Sequence, residues 1–154
     1  MAHYYLDSSA LVKRYVAETG TGWVTALCVP EAGHTINLVR ITGVEIIATF
    51  FRRVQVGSLT LSDAQFAATR FRSELRSRYE IIEVTESVID AAMRLAETHT
   101  LRGYDAVQLA AALELQSVRA SFGLPPITFV SADSRLNSVA AAEGLVFENP
   151  NDYP

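Results

Sequence analysis

The chain is poor in cysteine, in lysine and in long apolar runs, and each shortage excludes a class of protein. Cys28 is the single cysteine among 154 residues, so a disulfide framework and a cysteine-ligated zinc site are both excluded. The longest stretch without a charged residue runs only from Ala120 to Ala132. A membrane-spanning helix needs about 18 or more apolar residues in succession. We therefore expect no contact with a membrane and a location in the reducing cytoplasm.

The chain does contain enough apolar side chains for one buried core. Hydrophobic residues make up 49% of the sequence, which argues against disorder, and the length predicts a single domain over residues 1–154. Seventeen acidic against thirteen basic side chains give a net charge of −4, which excludes a generally basic protein that coats nucleic acid. An enzyme that acts on nucleic acid is not excluded, because bound metal ions can supply positive charge.

Short apolar strands alternate with helices along the whole chain. The pattern predicts strands over 3–6, 33–38, 79–84, 127–130 and 145–148. It predicts helices over 10–17, 23–29, 39–54, 64–78, 85–98, 104–119 and 133–143. This alternation favours an α/β fold, with a parallel sheet covered by helices on both faces. Ligands of such sheets bind beyond the carboxyl ends of the strands, so the residues that follow each strand are the candidates for function.

Acidic residues stand at three positions near this edge. Asp7 directly follows the first predicted strand, Asp133 closely follows the fourth, and Asp105 lies near the start of a helix. Each of them alone has an ordinary explanation. Aspartate is a favoured helix cap, and acids near a helix N-terminus are mildly stabilising.

Glu45 is harder to explain, because the helix predicted over 39–54 is apolar on nearly every side. Such a helix is normally buried, and an unpartnered carboxylate inside it costs on the order of several kcal/mol or takes up a proton. Two explanations remain open. A buried arginine such as Arg40 pairs with Glu45, or a bound metal ion does.

Together these acids form a candidate metal site. Hard divalent cations such as Mg²⁺ and Mn²⁺ prefer oxygen ligands, and carboxylate sites of this kind serve phosphoryl chemistry. The candidate ligands are Asp7, Glu45, Asp105 and Asp133.

Four segments carry the most specific patterns in the sequence: YLDSSALVK over 5–13, VEIIA over 44–48, LRGYDAVQLA over 101–110, and FVSADSRL over 129–136 followed by EGL over 143–145. In this order they resemble the motifs of the PIN-domain nucleases, especially the VapC-type toxins of bacterial toxin–antitoxin pairs. The resemblance covers nearly the whole chain. It implies a three-layer α/β/α sandwich with a parallel sheet of about five strands.

The resemblance also implies an activity, which is Mg²⁺- or Mn²⁺-dependent endonuclease cleavage of RNA. Metal-activated water would attack the phosphodiester in line and leave 5′-phosphate and 3′-hydroxyl ends. Ser8 and Ser131 would hold the carboxylates or metal-bound water. A homodimer is implied, as is a small antitoxin that places a basic side chain in the acidic pocket. The catalytic, metal-binding acids become Asp7, Glu45, Asp105 and Asp133.

Several features are specific to this chain. Some family members carry a further acid where this chain has Leu136. Arg102, one helical turn before Asp105, either pairs with that acid or meets the scissile phosphate. A further set of arginines forms either a path for RNA phosphates or a solvated helix face: Arg52, Arg53, Arg70, Arg72, Arg76 and Arg78.

Other acidic α/β enzymes fit the sequence less well. A phosphatase with an Asp-x-Asp motif would need a second acid at Ser9. A phospho-acceptor receiver domain would need a late lysine, and Lys13 is the only lysine in the chain. The remaining alternative is a PIN-like domain that binds RNA or an antitoxin and cleaves nothing. The presence of all four acids favours the nuclease.

Overall fold

A single parallel sheet forms the centre of the computed structural model, which describes every residue from Met1 to Pro154. Its strands are β1 (His3–Leu6), β2 (Thr35–Val39), β3 (Glu80–Ile82), β4 (Thr128–Val130) and β5 (Val146–Glu148). They lie in the order β3-β2-β1-β4-β5, and every neighbouring pair is parallel. The prediction of a five-stranded parallel sheet is therefore confirmed.

Helices connect the strands, as parallel pairing requires. They are α1 (Ser8–Leu11), α2 (Thr21–Cys28), α3 (Thr42–Gln55), α4 (Leu61–Ser77), α5 (Glu86–His99), α6 (Gly103–Ser121) and α7 (Ser134–Ala142). Short 3-10 turns occupy Val12–Arg14, Pro30–Ala32 and Pro150–Asp152. None of the helices combines the length and the hydropathy that crossing a membrane requires.

The sheet separates two apolar cores, because successive side chains of a strand point to opposite faces. Leu6 of β1 belongs to the core formed with α1 to α4, where Phe50 and Phe71 are fully buried. Its neighbour Tyr5 belongs to the core formed with α5 to α7, together with Leu109 and Phe129. Helices therefore cover both faces, and the predicted three-layer α/β/α architecture is confirmed.

Helix boundaries depart from the prediction where a long-range contact decides them. Helix α3 begins at Thr42 rather than at Val39, because Val39 ends β2 and the next amide, that of Arg40, still pairs with the carbonyl of Ile82. The hydroxyl of Thr60 caps α4 by accepting from the amide of Asp63 at 3.1 Å.

Helix α3 also lies at the surface instead of in the interior. Of its 14 residues only Thr42, Ile46 and Phe50 are buried, and their four-residue spacing marks a single helix face. Val44, by contrast, is 61% exposed. The prediction of a buried helix is wrong, and Glu45 occupies a half-buried position in the first helical turn rather than an apolar centre.

Glu74 joins α4 to the segment after β1 through a buried ion pair. Arg14 donates from Nε to Glu74 Oε2 at 2.8 Å and from Nη2 to Oε1 at 3.1 Å, and the hydroxyl of Tyr15 donates to Oε2 at 2.5 Å. Burial alone would raise the pKa of Glu74. The hydrogen bonds from Arg14 and Tyr15 outweigh burial and lower the pKa to about 2.

This ion pair predicts a loss of stability in acid. Since the pKa of Glu74 falls from its ordinary value of 4.5 to about 2 on folding, its contribution is complete above pH 4.5 and is lost as the pH falls towards 2. Glu74→Gln leaves Arg14 buried without a counterion and should lower the free energy of unfolding by about 3 kcal/mol at pH 7.

Urea denaturation at pH 7 and pH 3 measures the effect, with Glu97→Gln, at an exposed acid of α5, as the matched control. The deficit of Glu74→Gln should shrink at pH 3, and the control should match the unmodified protein at both values. A deficit of equal size at both values would contradict the assignment.

Candidate active site

The acids predicted from the sequence gather at the carboxyl edge of the sheet. Asp7 directly follows β1 and Asp133 closely follows β4, and these strands are paired in parallel. Glu45 and Asp105 lie in the first turns of α3 and α6. Both line one cavity of about 370 Å³.

Asp7 is buried, with 4% of its surface exposed. Its Oδ1 accepts from the amide of Ala10 at 3.0 Å and from the hydroxyl of Ser9 at 2.6 Å, and its Oδ2 accepts from the hydroxyl of Ser131 at 2.5 Å. Burial raises the pKa of Asp7 to about 6, although the hydrogen bonds from Ser131 and Ser9 oppose the increase. Asp7 therefore caps a helix, as the ordinary explanation for this residue predicts. Its carboxylate is nevertheless desolvated, and keeping it charged is electrostatically costly.

Two serine hydroxyls connect Asp7 to the loop after β4. Ser131 is fully buried; it donates to Asp7, and its Oγ accepts from the amide of Asp133 at 3.1 Å. Ser9 accepts from the amide of Ala132 at 2.9 Å. Ser131 holds a carboxylate as the resemblance implied, whereas the sequence had not indicated a role for Ser9. The position of Ser9, directly after Asp7 and Ser8, was the feature of the sequence that could have indicated this role.

Glu45 is held by neutral donors rather than by an arginine. The hydroxyl of Ser8 donates to its Oε2 at 2.9 Å, and Gln108 Nε2 donates to its Oε1 at 2.8 Å. Burial raises the pKa of Glu45, and these two bonds oppose the increase. Arg40 pairs with Glu83 instead, so the explanation of Glu45 through a buried Arg40 is excluded.

Gln108 is the residue of the site that the sequence did not single out. It is 1% exposed. Its Oε1 accepts from the hydroxyl of Tyr5 at 2.8 Å, and its Nε2 donates to Thr42 Oγ1 at 2.9 Å as well as to Glu45. A glutamine three residues after Asp105, in a helix otherwise rich in alanine and leucine, lies on the same helix face as that acid. That spacing was the signal for its role.

Asp105 interacts electrostatically with each of the other three acids. Its carboxylate is half-buried and accepts no hydrogen bond from the protein. Burial raises the pKa of Asp105, and the charge of Asp133 raises it further. The charge of Asp105 in turn raises the pKa values of Asp7 and Glu45. All four acids therefore interact through Asp105.

Asp133 lies at the exposed rim of the site. Its Oδ1 caps α7 by accepting from the amides of Arg135 at 2.9 Å and Leu136 at 3.1 Å. Some family members carry an acid at the position of Leu136. In this chain the side chain of Leu136 is buried in the apolar core with α7, so α7 adds no further carboxylate to the site. A metal-binding role for Asp133 remains a prediction.

The chemistry of the donors fits a hard cation. No three His, Cys, Asp or Glu side chains lie close enough together to form a ready-made metal site. None of the four acids forms a salt bridge, however, and Asp105 has no donor of its own. Mg²⁺ usually keeps several of its waters, and those waters can bridge carboxylates that do not touch.

Two arginines line the same cavity as Glu45 and Asp105. Arg102, in the cap position of α6, makes no salt bridge with Asp105, although its charge acts to lower the pKa of that acid. Arg52 is one turn from the C-terminal end of α3 and also forms no ion pair. Both guanidinium groups are therefore available to an anionic ligand.

The arginines of α4 do not reach this cavity. Arg70 pairs with Glu74, and Arg53 of α3 pairs with Glu18. The remaining arginines of α4 line other grooves of the surface. Of the six arginines considered as a phosphate path, only Arg52 lies at the acidic site.

Comparison with known proteins finds both similar sequences and similar folds. No protein-family model matches the chain. The chain is 32% identical over 143 residues to Ribonuclease VapC45 of Mycobacterium tuberculosis, which covers 91% of this chain and 90% of that protein. Its fold is similar to FitAcB from Neisseria gonorrhoeae, with a TM-score of 0.61 and 16% identity over 96% of this chain and 97% of that one. It is also similar to VapBC2 from Rickettsia felis bound to a promoter DNA fragment, with a TM-score of 0.59 and 16% identity over 96% and 98%.

The buried charge of Asp7 predicts that Asp7→Asn stabilises the metal-free protein. Because folding raises the pKa of Asp7 from 3.8 to about 6, the folded state is favoured below pH 3.8, and this advantage is lost as the pH rises through 6. Asparagine keeps an acceptor for the cap and carries no charge. The variant should gain about 2 kcal/mol in the free energy of unfolding at pH 8, and much less at pH 4.

Denaturant unfolding in EDTA at both pH values measures this gain. Asp133→Asn, at the exposed rim, is the matched control and should show no comparable gain. An Asp7→Asn protein that is less stable than the unmodified protein at pH 8 would show that the hydrogen bonds outweigh the cost of burial.

Proposed function

The chain belongs to the VapC family of PIN-domain ribonucleases, and from this premise we propose that it is a metal-dependent endoribonuclease, the toxin of a toxin–antitoxin pair that acts in the cytoplasm. Its reaction is the hydrolysis of phosphodiester bonds in RNA. The relationship rests on 32% identity over 91% of the chain. The acidic site at the carboxyl edge of the sheet supplies the chemistry.

The observation that carries the proposal is the group of carboxylates around Asp105. Burial raises the pKa values of Asp7, Glu45 and Asp105, and Asp105 raises those of the other two further. No basic side chain forms an ion pair with any of them. Acidic groups kept together without a counterion are costly for folding, and a bound cation removes that cost.

The residues of the chain have distinct parts in this proposal. Asp7, Glu45 and Asp105 would hold Mg²⁺ or Mn²⁺, with Asp133 contributing from the rim. The cation would activate water and neutralise charge on the phosphate. Hydrogen bonds fix two of these carboxylates before any ligand arrives, because Ser131 and Ser9 hold Asp7 while Ser8 and Gln108 hold Glu45. Arg102, which has no acidic partner, would bind a phosphate of the RNA.

An antitoxin partner is part of the same proposal. An apolar groove of about 600 Å³ runs between α3 and α4, with Ile47, Phe71 and Leu75 among its walls. It shares Val44 and Ala48 with the acidic cavity. A partner segment seated in the groove through apolar side chains would reach the acids with a basic one. The family resemblance also leads us to propose a homodimer, which light scattering can test.

Cleavage of RNA tests the proposed activity directly. Purified protein, free of antitoxin, should cut single-stranded or structured RNA in the presence of Mn²⁺ and should stop when EDTA is added. Asp105→Asn should lower the rate about 100-fold or more. Ser131→Ala, which removes a positioning hydroxyl, should lower it by roughly 10- to 100-fold. Asp90→Asn, at an exposed acid of α5, is the matched control and should cut normally.

Failure to cut any RNA with Mn²⁺ would favour the alternative, a PIN-like domain that binds RNA or an antitoxin without cleavage. The lack of a ready-made cluster of three metal ligands is the observation that keeps this alternative in view. A rate that survives the Asp105→Asn substitution would instead point to a contaminating nuclease.

Metal binding can be measured without RNA. Titration calorimetry with Mn²⁺ should give a binding heat for the unmodified protein and for Asp90→Asn, and little or none for Asp105→Asn. Saturating metal should also raise the free energy of unfolding, by about 2.7 kcal/mol at a hundredfold excess over the dissociation constant. Equal binding by all three proteins would place the cation elsewhere.

A further inference from the structure

Tyr104 is a large aromatic residue whose side chain is not part of either apolar core. It stands next to Asp105 at the start of α6, is 57% exposed and lines the acidic cavity. Its hydroxyl makes no hydrogen bond, and its ring packs against no other aromatic ring. A single exposed aromatic residue is unremarkable elsewhere on a surface. At the wall of the candidate active site it offers a flat apolar face to a ligand.

The groups around Tyr104 define what that ligand must offer. Arg52 and Arg102 line the same cavity, and neither is neutralised by an acid of the chain. Glu45 and Arg52 lie on one face of α3, and seven residues separate them by about 10 Å along the helix axis. The cavity thus combines carboxylates, free guanidinium groups and an aromatic ring within about 370 Å³.

A polynucleotide offers a matching group to the arginines and to the aromatic ring of this cavity. Its phosphates pair with arginines, and its bases present flat faces that stack on aromatic rings with little regard to sequence. The carboxylates of Glu45 and Asp105 repel phosphates, so the phosphates would lie against Arg52 and Arg102 and a base against Tyr104.

We propose that Tyr104 stacks an unpaired RNA base beside the scissile phosphate, while Arg52 and Arg102 hold the flanking phosphates. This inference rests on the proposed ribonuclease function and assigns the residues that would contact the RNA beside the proposed metal site. A base can stack on a side chain only when it has left its own helix, as bases do in single strands, loops and bulges. The bases of a continuous duplex cannot reach the ring.

Binding measured in EDTA, where no metal-dependent cleavage occurs, isolates this role. Fluorescence anisotropy with a labelled single-stranded RNA should show about tenfold or greater weakening for Tyr104→Leu and near-normal affinity for Tyr104→Phe. Phe122→Ala is the matched control. Phe122 is 76% exposed and follows the other end of α6, about 27 Å away along the helix axis, so its loss should change nothing.

RNAs that each lack one base distinguish stacking from a structural effect. At one position the missing base should weaken binding to the unmodified protein by about the same factor as Tyr104→Leu does with intact RNA. At that position Tyr104→Leu should show no further loss, since both changes remove the same contact. Independent, additive losses at every position would overturn the proposal.

The arginines and the strandedness of the RNA give two more measurements. Arg52→Gln should reduce the slope of log affinity against log salt by about 0.7, the value for one phosphate contact on a single strand. A duplex of the same sequence should bind without any dependence on Tyr104. Equal losses for the single strand and the duplex on Tyr104→Leu would contradict base stacking, as would a loss of the same size for Phe122→Ala.

The two proposals fail separately. Binding that depends on Tyr104, in a protein that never cuts RNA with Mn²⁺, would overturn the ribonuclease activity and leave the stacking role standing. Cleavage that depends on Asp105, with binding indifferent to Tyr104, would overturn the stacking role alone. An unmodified protein that cuts RNA and shows no binding in EDTA would also overturn it.

Discussion

The hydrogen bonds that hold the buried carboxylate of Asp7 are the constraint on which the site depends. A desolvated charge is tolerated only where donors replace its water, and Asp7 takes those donors from Ser9, Ala10 and Ser131. Because Ser131 also accepts from the amide of Asp133, the same bonds set the position of the loop after β4. The location of one acid thus decides the location of another, across the pair of strands at the centre of the sheet.

Gln108 extends this hydrogen-bond network to the helices. Through Tyr5 it is tied to the end of β1, and through Thr42 and Glu45 to the start of α3. The two apolar cores lie on opposite faces of the sheet, and this polar network runs along the carboxyl edge between them. A fully satisfied buried network favours one arrangement over its competitors, so the carboxylate of Glu45 is held in place by the fold and not by a ligand.

The local sequence pattern was sufficient to predict the parallel sheet and the position of these acids near its carboxyl edge, because apolar runs and the residues that follow them are adjacent in sequence. What it could not supply were contacts between distant segments. The start of α3 depended on a bond from Arg40 to Ile82, and the error there placed Glu45 in the wrong surroundings. The partners of Gln108 lie more than 60 residues away. The neutralisation of Arg53 by Glu18 is likewise a product of tertiary structure, invisible in a charge count.

The raised pKa of Asp7 has a consequence for how long a molecule survives. Marginal stability translates into a small unfolded fraction that cellular proteases remove, and a ligand that binds only the folded state reduces that fraction. Under the proposed metal binding, molecules without a cation would carry the uncompensated charge, would unfold more often and would be degraded sooner than metal-bound ones. Proteolysis would then remove the metal-free protein preferentially and leave the metal-bound protein in excess. The carboxylate that causes this difference is one that the proposed chemistry requires.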